Sequence, residues 1–393
     1  MPETKLVVEH REHLWNLLIQ ATQIEHLIMC QYLYASFSLK TGPDEGLTPE
    51  QADAVARWHK LLTGIAVEEM LHLALVANVS TAIGAAPSLG RPNFPRPSEY
   101  LPSGVQFALL PFGDAALTHF LYLERPEGME RVDAEEFVPA APPPDPVTAD
   151  EIMPRSQNFL TVGHLYRGIE DGLTHLASAR AAVEEIIEQG EGARGNWQPA
   201  HYGRFLGIWE EYRRLSEQDP GFRPARPVIP AFTQQPVDNA EPQPLLTDPA
   251  TRRIAELFDL GYEVVVHTLT RFFTHNDETG EQLGILVDAA FGLMAGVLRP
   301  LATALTRLPA GPEHPGRTAG PTFEMYYQMG NVVPWREAAW ALLAERTAVL
   351  ASRCAEEAGR EGAPEAVATA ARTAAGISAQ FTAQVPDRLR PVG

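Results

Sequence analysis

Residues 65–83 read IAVEEMLHLALVANVSTAI. They continue a stripe of Val55, Trp58, Leu62, Ile65, Glu69, His72, Val76, Val79 and Ile83, spaced alternately by three and four. That spacing is one face of an amphipathic helix, and such a face is turned to a core. Glu69 and His72 interrupt it at i, i+3, so a carboxylate and an imidazole stand side by side pointing inward. A second stripe lies upstream: Leu14, Leu18, Ala21, Glu25, Ile28, Tyr32 and Ala35. Glu25 sits in its middle. A buried carboxylate needs a cation, a base or a metal as partner. Glu-x-x-His on one bundle helix with an inward Glu on its neighbour is a half-site of carboxylate-bridged metal proteins. Oxygen and imidazole donors suit iron, manganese or another divalent metal. Glu68 falls off the seam and reads as an acid supporting the site or as a solvated residue.

Working outward, helices are expected at about 10–39, 49–83, 156–188, 201–216, 248–273, 280–308, 334–358 and 364–384. Thr48-Pro49 supplies an N-cap and first-turn pair for the second of them. The expected architecture is all-α, a helical bundle. A metal-binding domain would cover 1–217, with a long proline-rich insertion at 87–150. Within it VQFALLPF and HFLYLER read as strand-like or as short helices. Residues 218–247 read as a proline-rich linker, and 248–393 as a C-terminal helical layer packed on the bundle.

The chain has 393 residues, 45% of them hydrophobic, enough for a sizeable core. Its formal net charge of -19 disfavours phosphate backbones and anionic lipid, so no nucleic acid and no membrane partner is expected. No apolar stretch is read as reaching the length of a membrane span. Two cysteines, Cys30 and Cys354, make neither a disulfide framework nor a thiolate metal site. With no leader pattern at the N-terminus, the expected location is cytoplasmic. Nucleophilic triads, phosphate loops and dinucleotide fingerprints have no match.

Further ligands are offered by His164 and Glu170 in TVGHLYRGIEDGL, Glu188 and Glu191 in IIEQGEG, His201 in HYGRFLGIW, and the pair Glu263 and His267. Spacing alone does not rank them.

Taken in order, EHLIMCQYLYASFSL, VEEMLHLALVANVSTAIGAAP, TVGHLYRGI, IIEQGEG and HYGRFLGIW resemble the ferritin-like family named after iminophenyl-pyruvate dimer synthase. GPTFE at 320–324 and the helix WREAAWALLAERTAVLASRCAEEA resemble the C-terminal extension of its longer members. The resemblance implies a ferritin-like bundle in natural-product biosynthesis, where the type enzymes oxidatively couple two imines derived from an aromatic amino acid. It implies Glu25, Glu69 and His72 as metal ligands, with Glu191 and His201 at the later positions. Where the family motif reads like G-E-F-Y, this chain has His164 in place of the acid. The metal set expected from residues and resemblance together is Glu25, Glu69, His72, His164, Glu191 and His201, holding one or two iron ions, or manganese.

The expected function is an iron-dependent oxidoreductase using dioxygen or peroxide on a small amino-acid-derived substrate. Aromatic residues such as Tyr32, Trp58 and Tyr166 would line its pocket or pack the core. A homodimer or a partner enzyme of the pathway stays open. The alternatives are metal storage, a haem ligated by one histidine, and a non-catalytic metal-binding partner of a biosynthetic complex.

Overall fold

The computed structural model describes residues 5–97, 106–126, 128–137, 159, 161–174, 183, 186, 187, 189, 198–235, 242–274, 277–326 and 333–389. The chain divides into two compact units, Met1–Ala85 with Pro95–Arg226, and Ala86–Phe94 with Pro227–Gly393.

In the first unit α1 (Arg11–Ser38) packs along α2 (Pro49–Ala82). The α2 start is a reciprocal cap. Thr48 Oγ1 accepts the Gln51 N–H at 3.2 Å and Gln51 Oε1 accepts the Thr48 N–H at 3.0 Å, with Pro49 in the first turn. The two apolar stripes meet: Leu14, Leu18, Ala21 and Tyr32 of α1 and Val55, Trp58, Leu62 and Ile65 of α2 are all buried. Within HFLYLER the chain is helical, part of α3 (Asp114–Leu123), which packs against α5 (His201–Gln218). Within VQFALLPF, Gln106–Phe107 pair antiparallel with Arg96–Pro97. The remaining described helix, α4 (Val162–Thr174), lies on α1. Gly168 of α4 permits the N-terminal segment to cross closely, since a Cβ there would stand 2.4 Å from Leu6 Cδ1.

Trp58 does not face a ligand site. Its ring stacks on Phe112 at 5.3 Å and its indole N–H donates to Glu211 Oε2 at 2.7 Å, so it is core.

Arg226 closes the unit. Its Nε and Nη2 donate to the two oxygens of Glu45 at 2.6 and 2.8 Å, and Nη1 donates to the Leu39 carbonyl at 2.7 Å. Burial acts to raise the Glu45 carboxyl, but the Arg226 fork and Thr41 outweigh it and hold it at about 2. A carboxyl lowered on folding adds stability above its unfolded value near 4.3, and that stability is lost as pH falls towards 2. Discounted for partial exposure, the contribution is about 1–2 kcal/mol. Urea unfolding of wild type and Glu45→Gln should therefore differ by about that amount at pH 6 and converge near pH 2. A gap that stays constant with pH would contradict the assignment.

The second unit is helical as well. Asp248 caps α6 (Pro249–Phe273) by accepting the Thr251 N–H at 2.8 Å. Then α7 (Gly280–Leu293) runs through a π-helical turn, Met294–Leu298, into α8 (Arg299–Leu305). The last two helices, α9 (Arg336–Ala358) and α10 (Glu365–Gln384), pack on each other. GPTFE is part of a buried polar network: Thr322 Oγ1 and the Glu324 N–H donate to Asp259 at 2.7 and 2.8 Å. Glu263 belongs to this network, accepting the Tyr326 N–H at 2.6 Å and Arg346 at 2.7 Å. The sequence candidates Glu263 and His267 thus lie in the second unit, and Glu25, Glu69, His72, His164, Glu170 and His201 in the first.

The expectation that no stretch reaches the length of a membrane span needs correction. Two helices, Pro49–Ala82 and Gly280–Leu305, are long and apolar enough by length and composition. The first of them turns Glu69 and His72 into a buried polar cluster, which is how a bundle core helix is used.

Candidate metal centre

Five side chains converge in the first unit: Glu25 from α1, Glu69 and His72 from α2, Glu124 just past the end of α3, and His201 at the start of α5. All are buried, with 0–5% of their surface exposed. They form two overlapping groups, Glu25/Glu69/His72 and Glu69/Glu124/His201, each with ligand atoms within 4.8 Å of one another. Glu69 is common to both. One of its oxygens, Oε2, lies 2.7 Å from His72 Nδ1, and the other, Oε1, lies 2.9 Å from His201 Nδ1. His72 Nδ1 is also 3.3 Å from Glu25 Oε2, and His201 Nδ1 is 3.6 Å from Glu124 Oε1. The arrangement is nearly two-fold: one imidazole and one terminal carboxylate on either side of a shared carboxylate.

Each imidazole is fixed through its other nitrogen. His72 Nε2 donates to Gln189 Oε1 at 3.0 Å, and His201 Nε2 donates to Glu68 Oε2 at 2.9 Å. An N–H held in this way leaves the opposite nitrogen as the electron-pair donor and sets the ring plane, as around metal-bound histidines. Glu68, the acid beside the seam, is held in turn by Arg204 Nη1 at 2.8 Å. Burial acts against its charge, yet His201 and Arg204 bring its carboxyl down to about 2. The terminal carboxylates are positioned by phenols: Tyr166 Oη donates to Glu25 Oε1 and Tyr32 Oη to Glu124 Oε1, each at 2.5 Å.

Electrostatically the cluster asks for cations. Burial, and then the charge of Glu69, push the Glu25 carboxyl up to about 8. Burial would raise Glu69 too, but the facing rings of His72 and His201 outweigh it and hold it well below the usual range. Burial opposes charge on His72, and the Glu69 and Glu25 carboxylates nonetheless bring it up to about 10. Protons thus occupy positions that a divalent ion would take, and ion binding would release them.

The donor atoms themselves fit a metal. Glu69 Oε1 and His201 Nδ1 are both buried and make no hydrogen bond among the described residues, although they lie 2.9 Å apart. Both belong to one group of buried ligand atoms that face a common point, as ligands of one ion would. The cavity they line has a volume of about 20 Å³. That is room for an ion or a water. Three carboxylates and two imidazoles are one carboxylate fewer than the four-Glu, two-His set of di-iron bundles.

Of the residues singled out from sequence, Glu25, Glu69, His72 and His201 meet here. His164 is buried in α4 but belongs to neither ligand group and does not line the cavity. It is two residues from Tyr166, which does, and positions two apart on a helix face roughly opposite ways. Glu191 and Glu188 lie outside the described residues. Glu124 was missed by the sequence reading, though it stands seven, four and three residues after the buried Leu117, Phe120 and Leu121.

The Ferritin-like family model matches residues 18–179, a span that includes Glu25, Glu69, His72 and Glu124. Among curated proteins the chain is 27% identical over 380 residues to dichlorochromopyrrolate synthase of Lentzea aerocolonigenes, covering 81% of this chain and 36% of that protein. It is 28% identical over 355 residues to 2-imino-3-(indol-3-yl)propanoate dimerase of Chromobacterium violaceum, covering 80% and 34%. The chain therefore spans about a third of the length of these relatives. A solved ferritin like protein from Caulobacter vibrioides aligns with a TM-score of 0.47 at 17% identity, over 74% of this chain and 96% of that one. Residues 18–179 thus match the Ferritin-like family model, and four fifths of the chain is similar to two curated proteins, a synthase and a dimerase.

Proposed function

We propose that the chain is an iron-dependent oxidoreductase that uses dioxygen or peroxide to oxidise, or oxidatively couple, a small amino-acid-derived acid. The observation that carries this reading is the shared Glu69, with an imidazole and a carboxylate on either side of it, all buried. Glu25, Glu69 and His72 would hold one ion, and Glu69, Glu124 and His201 a second. Iron held by these residues would supply a redox couple for the oxidant. The chain's own residues do the rest. Tyr166 and Tyr32 orient the outer carboxylates, and Gln189 and Glu68 orient the imidazoles. Ile28, Leu123, Val162, Ile186 and Ile187 on the cavity wall exclude water.

The names of the curated relatives, a synthase and a dimerase of an indolyl imino acid, support coupling as the reaction. Joining two such imines forms one bond and releases two protons and two electrons, which reduce a peroxide to water or half-reduce dioxygen. The test is product formation by protein loaded anaerobically with ferrous iron. It is given indole-3-pyruvate with ammonium, then oxygen or hydrogen peroxide. A product with the mass of a dimer, formed only by loaded protein, is expected. Iron-replete protein that forms neither dimer nor other oxidised product would overturn the reading.

One observation favours a second reading, a non-catalytic metal-binding partner in a biosynthetic complex. A cavity of about 20 Å³ is far smaller than an amino acid. This reading expects bound metal and no turnover by the chain alone.

A further inference from the structure

In the second unit the N–H groups of Glu324, Met325 and Tyr326 are held by side chains: Asp259 Oδ1 at 2.8 Å, Asn93 Oδ1 at 2.8 Å and Glu263 Oε1 at 2.6 Å. Phe323, just before them, is buried at a φ of 50°, a left-handed conformation that persists only where the surroundings enforce it. Two of the groups that enforce it are acids, Asp259 and Glu324, with 0 and 3% of their surface exposed. Asp259 accepts from Thr322 Oγ1 at 2.7 Å as well as from the Glu324 N–H. Glu324 Oε2 accepts the N–H and the hydroxyl of Thr233, each at 2.7 Å. All of these donors are uncharged. Glu263 differs, since Arg346 of α9 donates to it at 2.7 Å. Around the pair stand Glu256 on α6, Tyr326, whose Oη is 2.5 Å from Thr233 Oγ1, and Arg91, which donates to the Phe323 carbonyl at 2.5 Å. His267 lies further along α6, near Glu263 and Arg346. The π-helical turn meets this part of α6 at Gly261 with the apolar Val297 and Leu298.

We propose that Asp259 and Glu324 form a proton-operated clasp: while they share a proton, residues 322–326 are closed on α6, and loss of that proton opens the segment and releases Asn93 with it. Two carboxylates buried together without a cation cannot both stay ionised, so one keeps a proton. Burial raises both carboxyls; after it, the charge of Glu324 raises Asp259 and that of Glu256 raises Glu324. A carboxyl raised on closing makes the closed form bind more protons than the open one. The stability of the closed form is therefore full below the ordinary carboxyl value near 4, and it is lost as pH climbs through the raised value. Once the proton is gone, repulsion between the two acids and the left-handed Phe323 both favour opening. Asn93 follows because its side chain both accepts the Met325 N–H and donates to the Met325 carbonyl, at 2.8 and 3.0 Å. The clasp lies wholly in the second unit and does not depend on the metal reading.

The test is amide hydrogen exchange of the full chain, read by mass spectrometry on the peptide that carries residues 322–326. At each pH the rate is divided by the intrinsic rate of an unstructured chain, so that only opening is compared. Between the open and closed carboxyl values, one proton changes the balance about tenfold per pH unit. Protection of this peptide in wild type is therefore expected to fall at least roughly tenfold from pH 6 to pH 9, relative to a peptide from the middle of α9. Asp259→Asn keeps an oxygen for the Glu324 N–H and removes the charge. Its protection should be nearly the same at both pH values and exceed that of wild type at pH 9. Glu324→Gln removes the other half of the pair and should flatten the dependence in the same way. Wild-type protection that does not change from pH 6 to pH 9 would overturn the proposal, and that measurement needs no variant to fold. A folded Asp259→Asn or Glu324→Gln protein that keeps the wild-type dependence would overturn it as well.

Discussion

Loading the metal-free protein with ferrous iron under anaerobic conditions is expected to raise its melting temperature by roughly 10 °C. Five buried ligand side chains, three carboxylates and two imidazoles, converge on one point. An ion that binds the folded chain and not the unfolded one adds RT ln(1 + [L]/Kd), about 4 kcal/mol at a thousandfold excess over Kd. In a unit of this size each kcal/mol moves the midpoint by about 2–4 °C. Glu69→Ala should abolish the shift, since Glu69 belongs to both ligand groups. Differential scanning calorimetry with and without iron reads this directly. A shift that survives Glu69→Ala would place the ion elsewhere.

The second large effect is one of stoichiometry. Glu124→Ala takes a ligand from only one group, and His72→Ala from only the other. Each should lower the metal content of the purified protein from about two ions per chain to about one, and Glu69→Ala should bring it close to zero. Losing a ligand weakens the affected site by at least the roughly 10–100-fold seen for supporting residues alone. Plasma emission spectrometry on protein prepared without chelators makes the measurement. Wild-type content in Glu124→Ala would remove Glu124 from the ligand set and leave a single-ion site.

These expectations depend on a residue that sequence periodicity did not reveal, and the reason is physical. Glu25, Glu69 and His72 are legible because long helices repeat a seam often enough that a polar interruption stands out. The helices of 28 and 34 residues here offer that repetition. The helix carrying Glu124 has ten residues, too few to separate a helical from a strand-like reading of HFLYLER. Glu124 also follows the last helical residue, where its direction depends on how the chain turns away. His201 was one of several candidates that spacing left unranked, because an N-terminal helix position carries no seam of its own. His164 shows the converse: a motif position suggested a ligand, but the local turn of α4 aims Tyr166 at Glu25 instead. Nor does spacing reveal that Glu69 is shared, since sharing is a property of four chain segments meeting. The all-helical architecture was readable throughout, and the cap at Thr48 is the residue pair that periodicity and capping rules both select.

The most direct test of the centre is anomalous scattering at the iron edge from crystals of iron-loaded protein. The account predicts two peaks in the first unit, one on either side of the Glu69 carboxylate, with His72 and Glu25 at one and His201 and Glu124 at the other. No peak among these five side chains in crystals of metal-replete protein would contradict it.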